Sequence, residues 1–319
     1  MAVYTDVSFE ELESFLAGYD IGAPLTFKGI AEGVENSNYF LSTTKGSFIL
    51  TLYEKRVRAG DLPFFLGLLE HLAARGIACP LPVRNLNGAQ SATLGGRTAA
   101  LFTFLNGVSL RRPEAIHCAA AGKALAKMHA AGKGFALSRK NALGHDGWSE
   151  LVEACLPRAD EVEPGLADLI RTAHAEITAN WPSGLPQGVI HADLFPDNVL
   201  FMGPEVSGLI DFYFACNDAL AYDLAVMLNA WCFEPDVAFN VTKSKSLIAA
   251  YTKQRPLSKE EREALPILAH GASLRFLLTR LYDWLNHDPS ALVRPKDPRD
   301  YSRRLRFHRK VRGVGEYGL

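Results

Sequence analysis

The spacing of hydrophobic residues divides the chain into a strand-rich first third and a helix-rich remainder. Alternating hydrophobic and polar positions, which are typical of half-buried strands, occur in PLTFKGI, SNYFLST, SFILTLYE and GRTAALFTFL. Between the last two of these segments, an apolar run predicts a helix from Leu62 to Ala74. Before the first strand, Ser8 and Glu11 form a capping-box pattern that predicts another helix. The first third is therefore expected to combine a small sheet with helices.

The remainder of the chain shows helical spacing, in ALAKMHAAG, DLAVMLNAWCF, SKSLIAAYTKQ and the run from Ala264 to Trp284. We interpret His129 as a hydrogen-bonded core residue and Asp223 as the N-cap of the helix that follows it, with substrate contact as the alternative for Asp223. A chain of 319 residues suggests two domain-sized units. The patterns predict an α+β fold, with residues 1–105 carrying a small mixed β-sheet and residues 106–319 forming a mainly helical domain.

The segment HADLFPDN, which begins at His191, carries the main candidate chemistry together with the IDF that ends at Phe212. The spacing H-x-D-L-x-x-x-N, followed by a strand and D-F, is typical of phosphoryl transfer in kinases. That reaction needs a carboxylate to accept the proton of the acceptor hydroxyl, and oxygen ligands to hold Mg²⁺ on the nucleotide phosphates. Asp193 fits the first task, whereas Asn198 and Asp211 fit the second. His191 is expected to support the loop.

Departures from the protein-kinase pattern indicate the kind of substrate. Ala192 replaces the arginine that can pair with a phosphorylated activation loop, and Tyr213 replaces the glycine after D-F. Only a short segment separates Asp211 from Asp223, and no A-P-E sequence follows before the next apolar helix. This leaves no room for a long peptide-docking segment. The sequence therefore favours a small alcohol over a protein as the phosphate acceptor.

The segment GIAEGVENSN lies between two predicted strands and is a candidate phosphate-binding turn. Its backbone amides are able to fold over phosphates, because glycine tolerates a close approach of the backbone to a ligand. A purely structural hairpin is the alternative. The nucleotide-binding candidates in this segment are Gly29, Gly33, Asn36 and Asn38.

The stretch LFTFLNG is expected to connect the two domains and to meet the edge of an adenine through backbone groups of Thr103, Phe104 and Leu105. A strand that simply ends in a loop is the alternative. Kinases carry a strand lysine that orients the phosphates. In this chain the corresponding position, in the strand segment FILT, is Thr51. Either another cation supplies the charge or the protein relies more on Mg²⁺. The candidate cations are Lys28, Lys45, Lys55 and Arg56.

The combination of HxDLxxxN, IDF and a D-L-A helix start resembles the aminoglycoside phosphotransferase and choline kinase family over nearly the whole chain. Within that family, FKGIAEGVENSNYFL, FILTLYEK, FFLGLLEHLAARGIACPLP and HADLFPDNVLF are similar to a bacterial branch that acts on an amino-acid hydroxyl. The resemblance implies a protein kinase-like two-lobed fold and ATP- and Mg²⁺-dependent phosphorylation of the side-chain hydroxyl of L-homoserine. That reaction would be a step toward threonine.

Homoserine carries an ammonium and a carboxylate, and a specific site must satisfy both because an unpaired buried charge is costly. Arg275 or Arg280 is a candidate for the carboxylate, and Glu35 or Asp218 for the ammonium. Choline would require an aromatic cage, for which Tyr213 and Trp231 alone are too few. An aminoglycoside, a sugar or another amino alcohol remains an alternative substrate. A nucleotide-binding pseudokinase also remains, because of Thr51.

Composition narrows the possible partners and location. Lys and Arg total 34 against 35 Asp and Glu, which argues against nucleic acid as a partner, and the basic stretch from Ser302 to Arg312 is interpreted as a solvated helix face. The five cysteines are widely separated without a C-x-x-C pair, so neither a disulfide framework nor a zinc site is expected. The sequence contains no signal-like or membrane-spanning run. A cytoplasmic location is expected, and the sequence does not indicate the oligomeric state.

Overall fold

The computed structural model describes residues 5–30, 36–54, 58–287 and 294–319. The chain folds into two compact units. The first contains the described residues up to Asn106 together with Gly208–Tyr213, and the second contains Gly107–Ser207 and most of the chain from Phe214 onward. The two halves of the kinase-like motif therefore belong to different units, since HADLFPDN lies in the second and IDF in the first.

The first unit is built on a five-stranded sheet in the order β1-β2-β3-β5-β4. Its pairings are all antiparallel in the described residues, so the expectation of a mixed sheet was wrong. Strands β3 and β4, which the chain joins through a helix, run in the same direction, but β5 lies between them and pairs antiparallel with both. The elements are α1 (Phe9–Leu16), β1 (Pro24–Gly29), β2 (Ser37–Thr43), β3 (Gly46–Leu52), α2 (Leu62–Ala73), β4 (Ala92–Leu94) and β5 (Arg97–Thr103).

Helix α1 covers part of this sheet. Its predicted capping box is confirmed, because the Ser8 hydroxyl accepts from the amide of Glu11 while the Glu11 carboxylate accepts from the amide of Ser8. The buried face of α1 joins Tyr39 on β2 and Leu50 on β3 in one hydrophobic cluster. Alternation along β2 buries every second residue, as the sequence pattern predicted.

The second unit is mainly helical. In the described residues, its strands are a short antiparallel pair, β6 with β9, and a hairpin of β7 with β8, whose last two residues belong to the first unit. The elements are α3 (Ala115–Ala131), α4 (Trp148–Cys155), α5 (Leu166–Asn180), β6 (Gln187–Ile190), β7 (Val199–Met202), β8 (Glu205–Leu209), β9 (Cys216–Ala219), α6 (Leu220–Trp231), α7 (Val241–Gln254), α8 (Lys259–Leu285) and α9 (Arg299–His308). Within the described chain, no helix is both long and apolar enough to cross a membrane.

Helices α3 and α7 approach each other closely at Gly122. A methyl carbon at this position would lie 2.4 Å from the carbonyl oxygen of Leu247, a distance that non-bonded atoms do not adopt. Glycine therefore permits the two backbones to touch. Further along the same pair of helices, His129 on α3 and Tyr251 on α7 are within hydrogen-bonding distance. The interpretation of His129 as a hydrogen-bonded core histidine is confirmed.

We expect acid to destabilise the second unit through two buried histidines, His270 and His308. Burial lowers the pKa of His270 to about 4 and lowers that of His308 well below its usual range. The unfolded chain therefore binds protons below about pH 6.5 that the folded chain does not bind, and stability falls as pH falls. Between pH 7 and pH 5, each histidine is expected to cost about 2 kcal/mol. Urea unfolding at pH 7, 6 and 5 measures this loss, and a free energy of unfolding that is constant over the range would contradict it.

Candidate active site

The loop from His191 to Asn198 follows directly from strand β6, whose last residue, Ile190, pairs with Cys216 on β9. Strand β9 continues into α6, which carries Asp223 in its first turn. The fully buried carboxylate of Asp223 accepts from the backbone amides of His191 at 2.7 Å and of Ala192 at 2.9 Å. The pairing of β6 with β9 thus delivers the loop to a fixed carboxylate.

The N-cap interpretation of Asp223 was wrong. Helix α6 begins at Leu220, so Asp223 lies inside the helix and its side chain bonds to another segment. Burial would raise the pKa of this carboxyl, but the hydrogen bonds from His129 and His191 and the nearby imidazoles hold it below its usual value. Asp223 is therefore a buried anion that serves the loop instead of its own helix.

The loop carbonyls are held as well as its amides. The Arg275 guanidinium donates to the carbonyl oxygen of Ala192 at 2.5 Å, and the Trp231 indole donates to that of Leu194 at 2.8 Å. Ala192 itself adopts φ = 62°, in the left-handed region that is costly for a residue with a Cβ. These bonds from three helical side chains, including Asp223, stabilise a backbone turn that the local sequence would not favour.

The carboxylate of Asp193 projects from this restrained turn with 20% of its side chain exposed. Among the described residues, the cation nearest to it is Arg275, 3.9 Å from Oδ1, and the Asn198 amide nitrogen lies 3.4 Å from Oδ2. Burial raises the pKa of the Asp193 carboxyl above its usual value, while the charges of Arg275 and His191 oppose that rise. The structure thus presents a carboxylate in a defined position with a cation beside it.

Lys296 is a loop neighbour that the sequence analysis missed. Its Nζ lies 3.5 Å from Asp197 Oδ2 and 5.7 Å from the centre of the Phe195 ring. Its charge also opposes the rise in the pKa of Asp193 that burial causes. Lys296 is nearly a hundred residues from the loop along the chain, so no local pattern could have indicated this contact.

Asp211 and Tyr213 lie in the first unit, after strand β8. Asp211 also has a left-handed backbone, with φ = 64°. The Tyr213 hydroxyl is 3.3 Å from that of Tyr53, and its ring packs edge-on against Tyr53 and Phe65. The residue that replaces the kinase glycine therefore contacts Tyr53, next to the end of β3, and Phe65 on α2, and its role in substrate binding stays a prediction.

The first unit also uses several predicted nucleotide-binding residues for its own structure. The Asn38 side chain accepts from the Thr51 hydroxyl at 2.7 Å, and Asn36 accepts from the amide of Glu54 at 3.3 Å. Gly29 is the last residue of β1 and pairs with Tyr39. Gly33 and Glu35 lie outside the described residues, as do the candidate cations Lys55 and Arg56.

Two of the backbone amides that were predicted to meet an adenine form hydrogen bonds within the protein. The amide of Thr103 donates to Leu81 at 2.9 Å and that of Phe104 donates to Ser47 at 3.3 Å, so neither is available for an adenine. Leu105 and the backbone carbonyls of this stretch remain the candidates. Lys28 is exposed on β1, whereas Lys45 pairs with Asp20 at the hairpin between β2 and β3. Among the described candidates, the cation that would replace the kinase lysine is therefore not identified.

The other substrate candidates of the second unit have different surroundings. Asp218 pairs with Gly188, near the end of β6 that lies away from the loop, and its carboxylate accepts from Asn141 at 2.7 Å. It lines a cavity of about 260 Å³ with neighbours that include Lys140 and Trp181. Arg280 lies on α8 with its guanidinium 4.4 Å from the centre of the Tyr301 ring.

The side chains of Asn198 and Asp211 suit a hard cation such as Mg²⁺, which binds oxygen ligands. The Asn198 nitrogen donates to the carbonyl oxygen of Asp193 at 2.8 Å, which leaves the side-chain oxygen for a cation. Asp211 contributes a carboxylate. Each of these two residues therefore carries an oxygen ligand of the kind that the predicted metal prefers.

We expect Arg275→Met to lower kcat by about tenfold, because the loop loses a hydrogen bond and Asp193 loses its neighbouring cation. If Arg275 acts on Asp193, the KM for the acceptor should change little. Steady-state kinetics with ATP and acceptor varied in turn measure both quantities. A large rise in the acceptor KM at unchanged kcat would instead identify Arg275 as a substrate-carboxylate ligand.

Comparison with known proteins agrees with this combination of fold and loop. Residues 26–257 match the model of the phosphotransferase enzyme family, and the chain belongs to that family. An amicoumacin kinase solved with AMP-PNP and Ca²⁺ shares the fold, with a TM-score of 0.71 at 15% identity, over 95% of this chain and 92% of that one. The expected kinase-like α+β fold is confirmed.

Two relatives with identities of about 60% to this chain share one name. The homoserine kinase of Afipia carboxidovorans is 62% identical to this chain, over all of it and 98% of the relative. The homoserine kinase of a Chelativorans species is 60% identical, over all of this chain and 99% of the relative. The similarity therefore extends through both units, including the regions that the family model leaves unmatched.

Proposed function

We propose that this protein transfers the γ-phosphoryl group of ATP to the side-chain hydroxyl of L-homoserine, giving O-phospho-L-homoserine and ADP. The observation that carries the proposal is the identity of about 60% to homoserine kinases over the whole chain. The chemistry of the loop is consistent with it, because Asp193 is a partly exposed carboxylate on a backbone that is otherwise held in place. The product is an intermediate on the way to threonine, which suits a cytoplasmic enzyme.

The proposed reaction is an in-line displacement at the γ-phosphorus. The hydroxyl oxygen forms a new bond to phosphorus while the bond to the β-γ bridging oxygen of ATP breaks, and ADP leaves. Asp193 accepts a hydrogen bond from the hydroxyl, orients its oxygen and takes its proton late in the step. The Arg275 cation beside Asp193 favours the ionised carboxylate before the reaction.

Asn198 and Asp211 would hold Mg²⁺. When bound, the ion neutralises charge on the nucleotide phosphates as the phosphoryl group moves. These two residues lie in different units of the chain, and the loop of Asp193 and Asn198 is held by α6 and α8. A proposed role of the second unit is thus to keep the base and one metal ligand in a fixed relation.

Arg280 is the better candidate of the two arginines for the homoserine carboxylate. Arg275 already donates to Ala192 and lies beside Asp193. The cation-π contact of Arg280 with Tyr301 uses the face of the guanidinium and leaves its N–H edges for a carboxylate.

The test is an ADP-release assay with Mg²⁺ and ATP against L-homoserine, choline, an aminoglycoside and no acceptor. Turnover that requires homoserine is expected, and mass spectrometry should detect a phosphate on its hydroxyl. Turnover with another acceptor only would overturn the substrate assignment. ATP binding without turnover on any acceptor would favour the pseudokinase alternative that Thr51 suggests.

A further inference from the structure

A series of buried hydrogen bonds continues from Asp223 away from the catalytic loop. The Asp223 carboxylate lies 3.0 Å from His129 Nε2, and His129 Nδ1 lies 2.8 Å from the Tyr251 hydroxyl. That hydroxyl is 3.1 Å from Arg255 Nη1, and Arg255 Nη2 is 2.8 Å from Glu261 Oε1. The series joins the loop to the connection between α7 and α8, through side chains on α3, α6, α7 and α8.

The chemistry of the end groups fixes the direction of donation. Arginine only donates and carboxylate only accepts, so the Tyr251 oxygen accepts from Arg255 and the Asp223 carboxylate accepts from His129. The tautomer of His129 with its proton on Nε2 satisfies both remaining roles, since Nε2–H donates to Asp223 while Nδ1 accepts a hydrogen bond from the Tyr251 hydroxyl. The donors from Arg255 Nη1 through Tyr251 to His129 then point toward Asp223, which also accepts from the amides of His191 and Ala192, while Arg255 Nη2 donates to Glu261 at the outer end.

Burial makes this arrangement specific. Asp223 and Tyr251 are fully buried, Glu261 is 1% exposed and His129 is 5% exposed. A buried polar group that loses its partner is costly, so each member depends on its neighbour. Apolar side chains could fill the same volume between α3 and α7 without that dependence. Packing alone therefore does not require polar side chains at these positions.

We propose that His129, Tyr251 and Arg255 are positioning residues for catalysis, which fix the orientation of the Asp223 carboxylate and through it the backbone that presents Asp193. The kinetic part of this inference rests on the proposed function, because it concerns the same loop. Its structural part, the ordering of the loop backbone, does not depend on the identity of the acceptor.

The second unit contains a matched control. His308 Nδ1 lies 2.7 Å from the Tyr317 hydroxyl, and His308 Nε2 lies 3.1 Å from Asn229 Oδ1. This is a second buried tyrosine–histidine pair that ends on helix α6, but Asn229 donates to the carbonyls of Ala225 and Ala269 and not to the loop. Tyr251→Phe and Tyr317→Phe each remove a tyrosine hydroxyl that lies within hydrogen-bonding distance of a buried histidine. Only the histidine next to Tyr251 is connected, through Asp223, to the loop that carries Asp193.

The experiment compares both variants with the unaltered protein in kcat, KM and Tm, and in deuterium uptake of a peptide that covers residues 188–200. For Tyr251→Phe we expect a fall in kcat of about tenfold, KM values within about twofold, and faster uptake in that peptide. For Tyr317→Phe we expect a similar loss of Tm with kcat and loop uptake unchanged.

Three results would overturn the proposal. These are an equal loss of kcat in both variants, an unchanged kcat in Tyr251→Phe, and a fall in kcat without faster uptake in the loop peptide. If the unaltered protein does not turn over homoserine, the proposed function fails, but the uptake comparison still decides whether the series orders the loop. The two failures are therefore distinguishable.

The outer end of the series is tested by a double-mutant cycle. Arg255→Met is expected to lower kcat by about threefold in the unaltered protein and to have no further effect in the Tyr251→Phe background, since Arg255 acts through that hydroxyl. Independent, multiplicative effects of the two substitutions would exclude Arg255 from the series.

Discussion

Asp193→Asn is expected to lower kcat by about 10² to 10⁴ while ATP binding changes by less than about threefold. The amide has the shape of the carboxylate, and the loop backbone is held by Asp223, Arg275 and Trp231 and not by this side chain. The variant should therefore keep its structure and lose only the group that accepts the proton. The expected loss of kcat is larger than for most surface substitutions, because no other carboxylate of the described loop is restrained in the same way.

Steady-state ADP release and nucleotide binding by calorimetry measure the two quantities. Asp197→Asn is the matched control, because Asp197 lies in the same loop but is 62% exposed and, among the residues that the structure describes, pairs with Lys296 alone. It should retain kcat within about threefold, as expected for a surface ion pair. Near-normal turnover in Asp193→Asn would exclude Asp193 as the base.

Asp223→Asn is expected to destabilise the protein by about 3–5 kcal/mol and to lower kcat by at least about 10². The carboxylate accepts from two backbone amides and from His129, which uses both of its oxygens. An asparagine has one oxygen, so its NH₂ group would face another N–H donor in a fully buried place. The left-handed turn at Ala192 would lose the bonds that compensate its cost.

Denaturant unfolding gives the change in stability, and the ADP assay gives the change in kcat. Asp168→Asn is a suitable control, since Asp168 is 84% exposed in a surface pair with Arg171 and should cost less than about 1 kcal/mol. A stable, active Asp223→Asn protein would show that the loop does not depend on this carboxylate.

Local features of the site could be predicted from the sequence because they are short-range. The spacing from His191 to Asn198 and the strand before Asp211 place residue types in an order that phosphoryl transfer needs. The roles given to Asp193, Asn198 and Asp211 stay predictions that the described experiments test. The strands of the first unit were predicted by their alternation, although not the antiparallel direction of each pair.

The sequence pattern gave a wrong prediction for Asp223. An aspartate before an apolar helical run is typical of an N-cap, and the error came from the start of α6, which lies at Leu220. Its partner amides are about thirty residues earlier in the chain, a separation at which sequence patterns give no pairing. The pairing of β6 with β9 decides this contact.

The sequence by itself determined the kinase-like class, the position of the candidate base and the order of the elements, because hydrophobic periodicity and motif spacing act over a few residues. Only the tertiary structure decided what holds the base: Asp223, Arg275 and Trp231 on two helices, and behind them His129 and Tyr251. These contacts join segments far apart in the chain. The close packing of helices and the cost of leaving a buried polar group unpaired determine which residues become partners. Neither effect can be read from a single segment of the sequence.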